Sequence, residues 1–389
     1  MTPLSVYVHI PFCTIKCGYC DFNAYAGMDA LKDAYGRALV AEVRANREMF
    51  WGRTIGSVGF GGGTPGEVPA ADIAAVMEAL SACAAFEDGA EVTLEVNPGT
   101  SDFEQFVALR RAGVTRLSIG VQSFDTDELR FLDRIHSPEA AAAAVGMARR
   151  AGFERVSLDL IYGLPGQSEE RWLTTVEHAL ALDPGHVSMY ALTVEEGTPL
   201  GRRVDRGEVL MPTDDEVAAM YAAASERLEA AGYQQYELSN WARPGHESRH
   251  NQVYWTDGEY LAIGAGAHGY VGGERYENVA HPREYIRAVE GAGGSRPALA
   301  ASYVPDRATS MSDWLTLRLR LLRGFARGEF AAKFGVALDE VAGEVLRECA
   351  AAGVLANAEV VRLTRKGRLL HGEVAARLTA GIRDAPGEG

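Results

Sequence analysis

The chain has 389 residues, of which 47% are hydrophobic and 23% charged, enough for one large α/β domain and a smaller one. Acidic residues outnumber basic ones by 53 to 38, and the formal charge of −15 excludes broad binding to a nucleic-acid backbone, which needs a basic surface. No secretory signal and no apolar run of ~18 residues is present, so we expect a cytoplasmic protein without a membrane span.

Short β-branched and aromatic runs alternate with longer amphipathic stretches through the first half of the chain. The predicted strands are 5–10, 57–61, 91–97, 116–122, 155–162 and 186–193. The predicted helices between them include 29–50, 69–86 and 169–182. Strands that alternate with crossover helices pair in parallel, so we predict an α/β fold whose strand ends meet on one face. Chemistry usually lies on that face in α/β proteins.

The second half of the chain is less regular. A helix at 214–231 leads into a seventh strand-like segment at 233–241, and a glycine-rich stretch covers 264–273. Glycine, serine and proline between 291 and 305 indicate a linker. We therefore predict a large α/β domain with an accessory segment over 1–290, the linker at 291–305, and a C-terminal domain over 306–389.

The predicted C-terminal domain combines helices with a short hairpin at 354–363, an order typical of an α+β winged-helix-like module. Many winged helices bind nucleic acid through basic surfaces. Here 13 Lys and Arg face 11 Asp and Glu, an excess of only two. This balance favours a packing or lid role, and we predict no nucleic-acid partner.

Three of the five cysteines, Cys13, Cys17 and Cys20, fall within eight residues directly after the first predicted strand. Three thiolates in a loop can surround one 4Fe–4S cluster and leave one iron with an open position. Zinc is an alternative, for which His9 or Asp21 would have to supply a fourth ligand. A purely structural cysteine cluster is a further alternative.

The remaining two cysteines, Cys83 and Cys349, lie in alanine-rich helical stretches far from the first three. Free cysteine is among the most buried residue types. We interpret both as small apolar core residues rather than cluster ligands.

The Cys-x3-Cys-x2-Cys loop, with Tyr19 before its last cysteine, resembles the signature of the radical S-adenosylmethionine (SAM) superfamily. The resemblance implies a partial (β/α)6 barrel with a 4Fe–4S cluster on Cys13, Cys17 and Cys20. It also implies that the open iron chelates SAM, which the reduced cluster cleaves to a 5′-deoxyadenosyl radical in that family.

Further motifs stand at the ends of the predicted strands, namely Gly-Gly-Gly-Thr-Pro at 61–65, Leu-Glu-Val-Asn-Pro at 94–98 and Gly-Val-Gln-Ser-Phe at 120–124. Each alone is compatible with a capping or solvated residue. Together they resemble the oxygen-independent coproporphyrinogen III oxidase-like proteins over essentially the whole chain. The resemblance implies that SAM is contacted by Tyr7, Tyr19, Gly62, Gly63, Thr64, Glu95, Gln122, Arg134, Asp159 and Thr193.

Two departures separate this chain from the oxidases it resembles. Those oxidases carry a fourth cysteine two residues after the third, where this chain has Phe22, and a longer segment before the triad. Both departures favour the related heme chaperone branch. That branch implies heme as a ligand and heme-requiring client proteins, including membrane-bound ones, with no coproporphyrinogen oxidase activity expected. An active oxidase of heme biosynthesis is the alternative, and a radical SAM enzyme with an unrelated substrate is a third possibility.

The stretch His-Asn-Gln-Val-Tyr-Trp at 250–255 is similar to a His-Asn-x-x-Tyr-Trp stretch of the chaperone branch. Neutral imidazole is the commonest axial ligand of heme iron, so His250 is our leading candidate for a heme ligand. His268 is the second candidate. For each histidine the alternative is a structural role in closing or capping a loop.

Overall fold

The computed structural model describes residues 3–291 and 293–383. The strands are β1 (Leu4–Ile10), β2 (Phe12–Cys13), β3 (Tyr25–Ala26), β4 (Ile55–Gly62), β5 (Phe86–Val96), β6 (Arg116–Gln122), β7 (Arg155–Tyr162), β8 (His186–Ala191), β9 (Gln234–Glu237), β10 (Asn240–Ala242), β11 (Tyr260–Ile263), β12 (His268–Val271), β13 (Glu274–Asn278), β14 (Leu299–Tyr303), β15 (Phe325–Ala326), β16 (Leu355–Asn357) and β17 (Val360–Leu363). The α-helices are α1 (Lys32–Ala45), α2 (Ala70–Cys83), α3 (Phe103–Arg111), α4 (Thr126–Phe131), α5 (Pro138–Arg150), α6 (Glu169–Ala181), α7 (Pro199–Asp205), α8 (Asp214–Ala230), α9 (Arg249–Trp255), α10 (Pro282–Gly291), α11 (Arg307–Arg318), α12 (Arg327–Phe334), α13 (Leu338–Ala351), α14 (Arg365–Arg368) and α15 (His371–Arg383).

The main sheet runs in the order β14-β13-β12-β11-β1-β4-β5-β6-β7-β8-β10-β9. Its six central strands, β1 and β4 to β8, are parallel and follow chain order. They correspond to the six predicted strands, and helices connect them, so the predicted α/β barrel fold is confirmed. The predicted helix at 29–50 is shorter in the structure, where α1 is flanked by two 3₁₀ turns.

Alternation along the central strands separates the core from the functional face. In β5, Val92, Leu94 and Val96 are buried in the apolar core. Successive side chains of a strand point to opposite faces, so Glu95 and the residue after the strand, Asn97, lie on the other face. Apolar and polar side chains alternate with the same two-residue period along β6 and β7. The sheet therefore presents one apolar face to the helices and one polar face to the inside of the partial barrel.

The edges of the sheet differ from the sequence-based expectation. The segment at 233–241 forms part of an antiparallel pair, β9 and β10, instead of one strand. The predicted linker at 291–305 contains β14, which pairs with β13 in the main sheet. The linker prediction is wrong for this strand. The glycines of the predicted linker end before the strand begins, and backbone pairing with β13 forms the strand although its apolar pattern is weak.

A buried carboxylate holds β11, β13 and α10 against the barrel. Glu42 of α1 accepts hydrogen bonds from the Gly264 amide (2.8 Å), the Asn278 side chain (2.7 Å) and the Tyr285 hydroxyl (2.6 Å). Burial raises the pKa of Glu42 to about 7. Three donors around one buried carboxylate fix the turn after β11, the end of β13 and α10 against one helix.

The C-terminal module has its own apolar core around Trp314, Phe330, Leu346 and Leu378. Its small sheet has the order β15-β17-β16, and the predicted hairpin corresponds to β16 and β17. The module meets the barrel through ion pairs, including Arg320 with the fully buried Glu237 at 3.2 Å. Within residues 3–291 and 293–383, no helix is both long and apolar enough to cross a membrane.

Candidate cluster and cofactor site

The cysteine loop leaves the sheet at the end of β1. A short parallel pair between β2 and β3 holds its two ends together. The Thr64 amide donates to the Phe12 carbonyl at 2.8 Å, which joins the loop to the glycine turn after β4. The thiols of Cys13, Cys17 and Cys20 are half-buried and all line one cavity of about 430 Å³.

The glycine turn after β4 requires glycine at two positions. Gly62 has a φ of 113°, and a Cβ there would lie 2.4 Å from the His9 ring. A Cβ on Gly63 would lie 2.6 Å from the Phe12 carbonyl oxygen. Because neither contact is tolerable, only glycine lets this turn approach the cysteine loop so closely.

Two carboxyl groups, one from β5 and one from β7, face the cavity. Glu95 accepts a hydrogen bond from the Gly62 amide at 3.3 Å and Asp159 accepts one from Ser118 at 2.8 Å. Desolvation by the protein around the cavity raises the pKa of Glu95 to about 7, and the nearby charge of Asp159 adds to the effect. Burial also raises the pKa of Asp159. Each carboxyl group is therefore ready to accept a cation or hydroxyl that enters the cavity.

Gln122 reaches the cavity through an unusual backbone conformation. Its φ is 66°, in the left-handed region that residues other than glycine seldom adopt, and the register between β6 and β7 shifts just before it. Such local strain persists where the surrounding structure enforces it, often at functional sites. Here it turns the end of β6 so that Gln122 lines the cavity.

Arg134 connects the cavity wall to the cysteine loop. Its Nη2 donates to the Gly120 carbonyl at 2.8 Å and to the side-chain oxygen of Asn97, and its Nη1 lies 3.7 Å from Cys17 Sγ. Asn97 donates in turn to Thr64 Oγ1 at 2.8 Å. The Nε of Arg134 is buried without a hydrogen-bond partner. A buried donor of this kind fits an acceptor supplied by a bound ligand.

The structure brings nearly all the predicted SAM contacts together. The ones that line the cavity are Tyr19, Gly62, Gly63, Thr64, Glu95, Gln122, Arg134, Asp159 and Thr193. Tyr7 lies behind this wall, with its hydroxyl 3.1 Å from His9 Nδ1. Asn97 and Ser118 also line the cavity and were missed. The signal for both was the two-residue alternation that places them on the same face as Glu95 and Gln122.

The donor set fits a 4Fe–4S cluster. In the described part of the chain, no three His, Cys, Asp or Glu side chains converge to hold a single metal ion. A cluster instead needs each thiolate on a different iron, so three cysteines around a cavity suit it. His9 has both ring nitrogens engaged, with Tyr7 and with the Asn23 carbonyl at 2.9 Å, so it is not available as a fourth zinc ligand. Cys83 is half-buried and Cys349 fully buried, both away from this cavity.

His250 is placed differently from our interpretation. It is 4% exposed, its Nδ1 lies 2.9 Å from Ser57 Oγ, and its Nε2 lies 2.8 Å from the Tyr254 hydroxyl. Burial lowers the pKa of His250 to about 4, so the ring is neutral. Because both ring nitrogens are engaged inside the barrel, this geometry does not support His250 as an axial heme ligand. The structural alternative explains it better.

Comparisons with known proteins agree with this site. Residues 7–179 match the model of the radical SAM superfamily, and residues 306–370 match that of the HemN C-terminal domain. The chain is 40% identical to heme chaperone HemW of Mycobacterium tuberculosis, over 97% of this chain and 95% of that protein. It is 36% identical to heme chaperone HemW of Escherichia coli, over 95% and 96% respectively.

A solved structure gives the same result for the fold. Coproporphyrinogen III oxidase (HemN) from Escherichia coli, described as a radical SAM enzyme, aligns with a TM-score of 0.85 and 26% identity. The alignment covers 97% of this chain and 90% of the oxidase. The similarity to the HemW proteins is higher and spans nearly the whole of each chain. The chain therefore belongs to the HemW family within the radical SAM superfamily.

Proposed function

We propose that this protein is a heme chaperone that binds a 4Fe–4S cluster, SAM and heme and transfers the heme to respiratory heme proteins. The observation that carries the proposal is the 40% identity to a heme chaperone over 97% of the chain, against 26% to the oxidase. Phe22 supports it, because this side chain lines the cavity, 63% exposed, two residues after Cys20, where the oxidases that the sequence resembles carry a fourth cysteine.

The cysteine loop would hold the cluster through Cys13, Cys17 and Cys20. The thiols of Cys13 and Cys20 have raised pKa values because of burial, and metal binding would draw their protons off. When bound and reduced, such a cluster supplies the electron for SAM cleavage. The role of the protein is to fix the cysteine loop through the β2–β3 pair and to shield one side of the site with Tyr19.

The opposite wall would hold SAM. The Gly62 and Gly63 backbone and the Glu95 carboxylate suit its ammonium group, while the fork of Arg134 suits its carboxylate. Asp159 lies where a carboxylate can accept hydrogen bonds from ribose hydroxyls. These roles follow from the donor and acceptor types in the cavity, and Asn97 keeps Arg134 and Thr64 in place.

The compartment and partners follow from the same proposal. An oxygen-sensitive cluster on free thiols needs reducing surroundings, so we place the protein in the cytoplasm. Its partners would be heme and heme-requiring client proteins, including membrane-bound ones that expose a heme site to the cytoplasm.

One experiment separates the chaperone from the oxidase. Protein reconstituted anaerobically with iron and sulfide is assayed in parallel for heme binding and for coproporphyrinogen decarboxylation with SAM and a reductant. We expect heme binding and no porphyrinogen product above that of a Cys17→Ser variant. Product formed well above that control would make the protein an oxidase, and a failure to bind heme would remove the chaperone proposal.

A further inference from the structure

The side chain of Asn97 stands between two residues that contact the cysteine loop. Asn97 follows β5, and its carbonyl accepts hydrogen bonds from the Thr100 amide at 3.2 Å and from the Thr100 hydroxyl at 2.7 Å. This turn fixes the backbone of Asn97 at the wall of the cluster cavity. From there its side-chain amide contacts Thr64 on one side and Arg134 on the other.

Arg134 determines which way the Asn97 amide faces. A guanidinium has donors and no acceptor, so the Oδ1 of Asn97 must be the atom that accepts from Arg134 Nη2. The Nδ2 of Asn97 then faces Thr64 and donates to its Oγ1 at 2.8 Å. The reverse orientation would place two donors against each other at Arg134, so the network allows only this one.

The orientation of the amide directs the Thr64 hydroxyl toward Cys13. Because Thr64 Oγ1 accepts from Asn97, its own proton is free to be donated, and Cys13 Sγ lies 3.5 Å away. An iron-bound cysteine is a thiolate, which has no proton and can only accept. Thr64 is buried, so water does not compete for this contact.

Arg134 supplies a second donor, directed at Cys17. Its Nη1 lies 3.7 Å from Cys17 Sγ, while its Nη2 is held by the Asn97 amide and by the Gly120 carbonyl at 2.8 Å. One amide side chain therefore holds two donors in place, and each donor faces a different cysteine of the loop.

Donors in these positions affect how easily the cluster takes up an electron. Hydrogen bonds to the sulfurs are one of the factors that set the reduction potential of a 4Fe–4S cluster. One-electron reduction adds a negative charge to the cluster and its thiolates and breaks no bond. Donors that face the thiolates therefore stabilise the reduced form more than the oxidised form, and they do so more strongly in a buried site.

We infer that Asn97 is a positioning residue that raises the reduction potential of the bound cluster. It acts through the two donors that it holds, the Thr64 hydroxyl and the Arg134 guanidinium. The inference rests on the proposed cluster and goes beyond it, because it gives a role to a residue that binds no iron.

The test measures the reduction potential of anaerobically reconstituted protein without SAM, from spectra recorded at a series of fixed potentials with dithionite as the reductant. Thr64→Val keeps the shape of the side chain but removes the hydroxyl. The ratio of reduced to oxidised cluster at a given potential should then fall roughly two- to tenfold, where tenfold corresponds to about 59 mV for one electron. Thr64→Ser keeps the hydroxyl and should retain the potential of the unmodified protein.

Asn97→Ala should lower the potential at least as much as Thr64→Val, because it releases both donors. In a Thr64→Val background the same change should have a smaller effect, since one of the two donors is already absent. Iron and sulfide content is measured on every sample. The two Thr64 variants decide the question even if Asn97→Ala assembles less cluster.

Thr174→Val is the matched control, because Thr174 is exposed on α6 and its hydroxyl donates to the Glu170 carbonyl of the same helix. It should have the potential of the unmodified protein. An unchanged potential in Thr64→Val, or a potential in Thr64→Ser as low as in Thr64→Val, would overturn the inference and leave the chaperone proposal standing. If the unmodified protein assembles no cluster, the proposed cluster site itself fails.

Discussion

Replacing Arg134 with alanine should weaken SAM binding and leave the cluster in place. Arg134 is held by Gly120 and Asn97, and its remaining Nε has no partner in the protein. Its Nη1 contacts Cys17 Sγ at 3.7 Å, but the β2–β3 pair holds the ends of the cysteine loop without this contact. The variant loses the hydrogen bonds to Gly120 and Asn97 together with the contact made to the ligand.

The size of the effect follows from the type of contact. A hydrogen bond to a charged group contributes about 1.5–3 kcal/mol. With about 1.4 kcal/mol for each tenfold change, the dissociation constant of SAM should rise roughly 10- to 150-fold. Arg134→Lys keeps the charge but lacks the planar fork, so it should give an intermediate value.

The assay is equilibrium binding of SAM to anaerobic, cluster-loaded protein, with iron content measured on the same samples. Arg130→Ala is the control, because Arg130 is 72% exposed and pairs with Asp127 on the same helix. Its SAM affinity should equal that of the unmodified protein. If Arg134→Ala also binds SAM normally, Arg134 does not contact the ligand and our assignment of this wall is wrong.

Three further predictions concern single residues. Cys17→Ser should lose the iron and sulfide of the cluster, because a hydroxyl is a poor iron ligand at neutral pH, whereas Cys83→Ser should retain both in the same analysis. SAM affinity should rise as the pH increases through about 7, where Glu95 loses its proton, and Glu95→Gln should abolish this pH dependence in binding measurements. His250→Ala should lower the free energy of unfolding by about 1–3 kcal/mol for each unpaired partner it leaves, measured by denaturant titration, without changing the coordination seen in heme spectra.

The pH dependence of Glu95 has a consequence for stability as well. The pKa of Glu95 is raised in the folded protein. Between the ordinary pKa of a glutamate and about 7, the folded state therefore keeps a proton that the unfolded state has already released. The free energy of unfolding should therefore fall as the pH rises through this window. Bound SAM, whose ammonium favours the carboxylate form, should offset the loss, and thermal unfolding with and without SAM measures both effects.

The central barrel was predictable because its signals are local. Each parallel strand alternates buried apolar and polar residues, as Val92 to Val96 do in β5, and each helix between strands has its own apolar stripe. The cysteine spacing is also local, so the cluster loop was found without knowledge of the fold. The alternation of apolar and polar residues then predicted that Glu95 and Gln122 lie on the same face of the sheet.

The edge strands and the environment of His250 were not predictable in this way. β14 is exposed along its whole length, so it lacks the apolar pattern that marks a strand, and pairing with β13 alone defines it. His250 lies in a motif that suggests a ligand, yet its Nδ1 is engaged by Ser57, which is 193 residues away in the chain. Contacts of this range leave no periodic signal.

The sequence by itself determined the order of strands and helices in the central barrel, the cysteine loop and the side of each central strand that carries polar groups, because these depend on spacing of a few residues. The tertiary structure alone decided that His250 is buried, that Asn97 joins Thr64 to Arg134, and that six further strands, β9 to β14, extend the sheet. These features arise where segments distant in the chain meet. Burial and hydrogen-bond partners there are properties of the assembled fold.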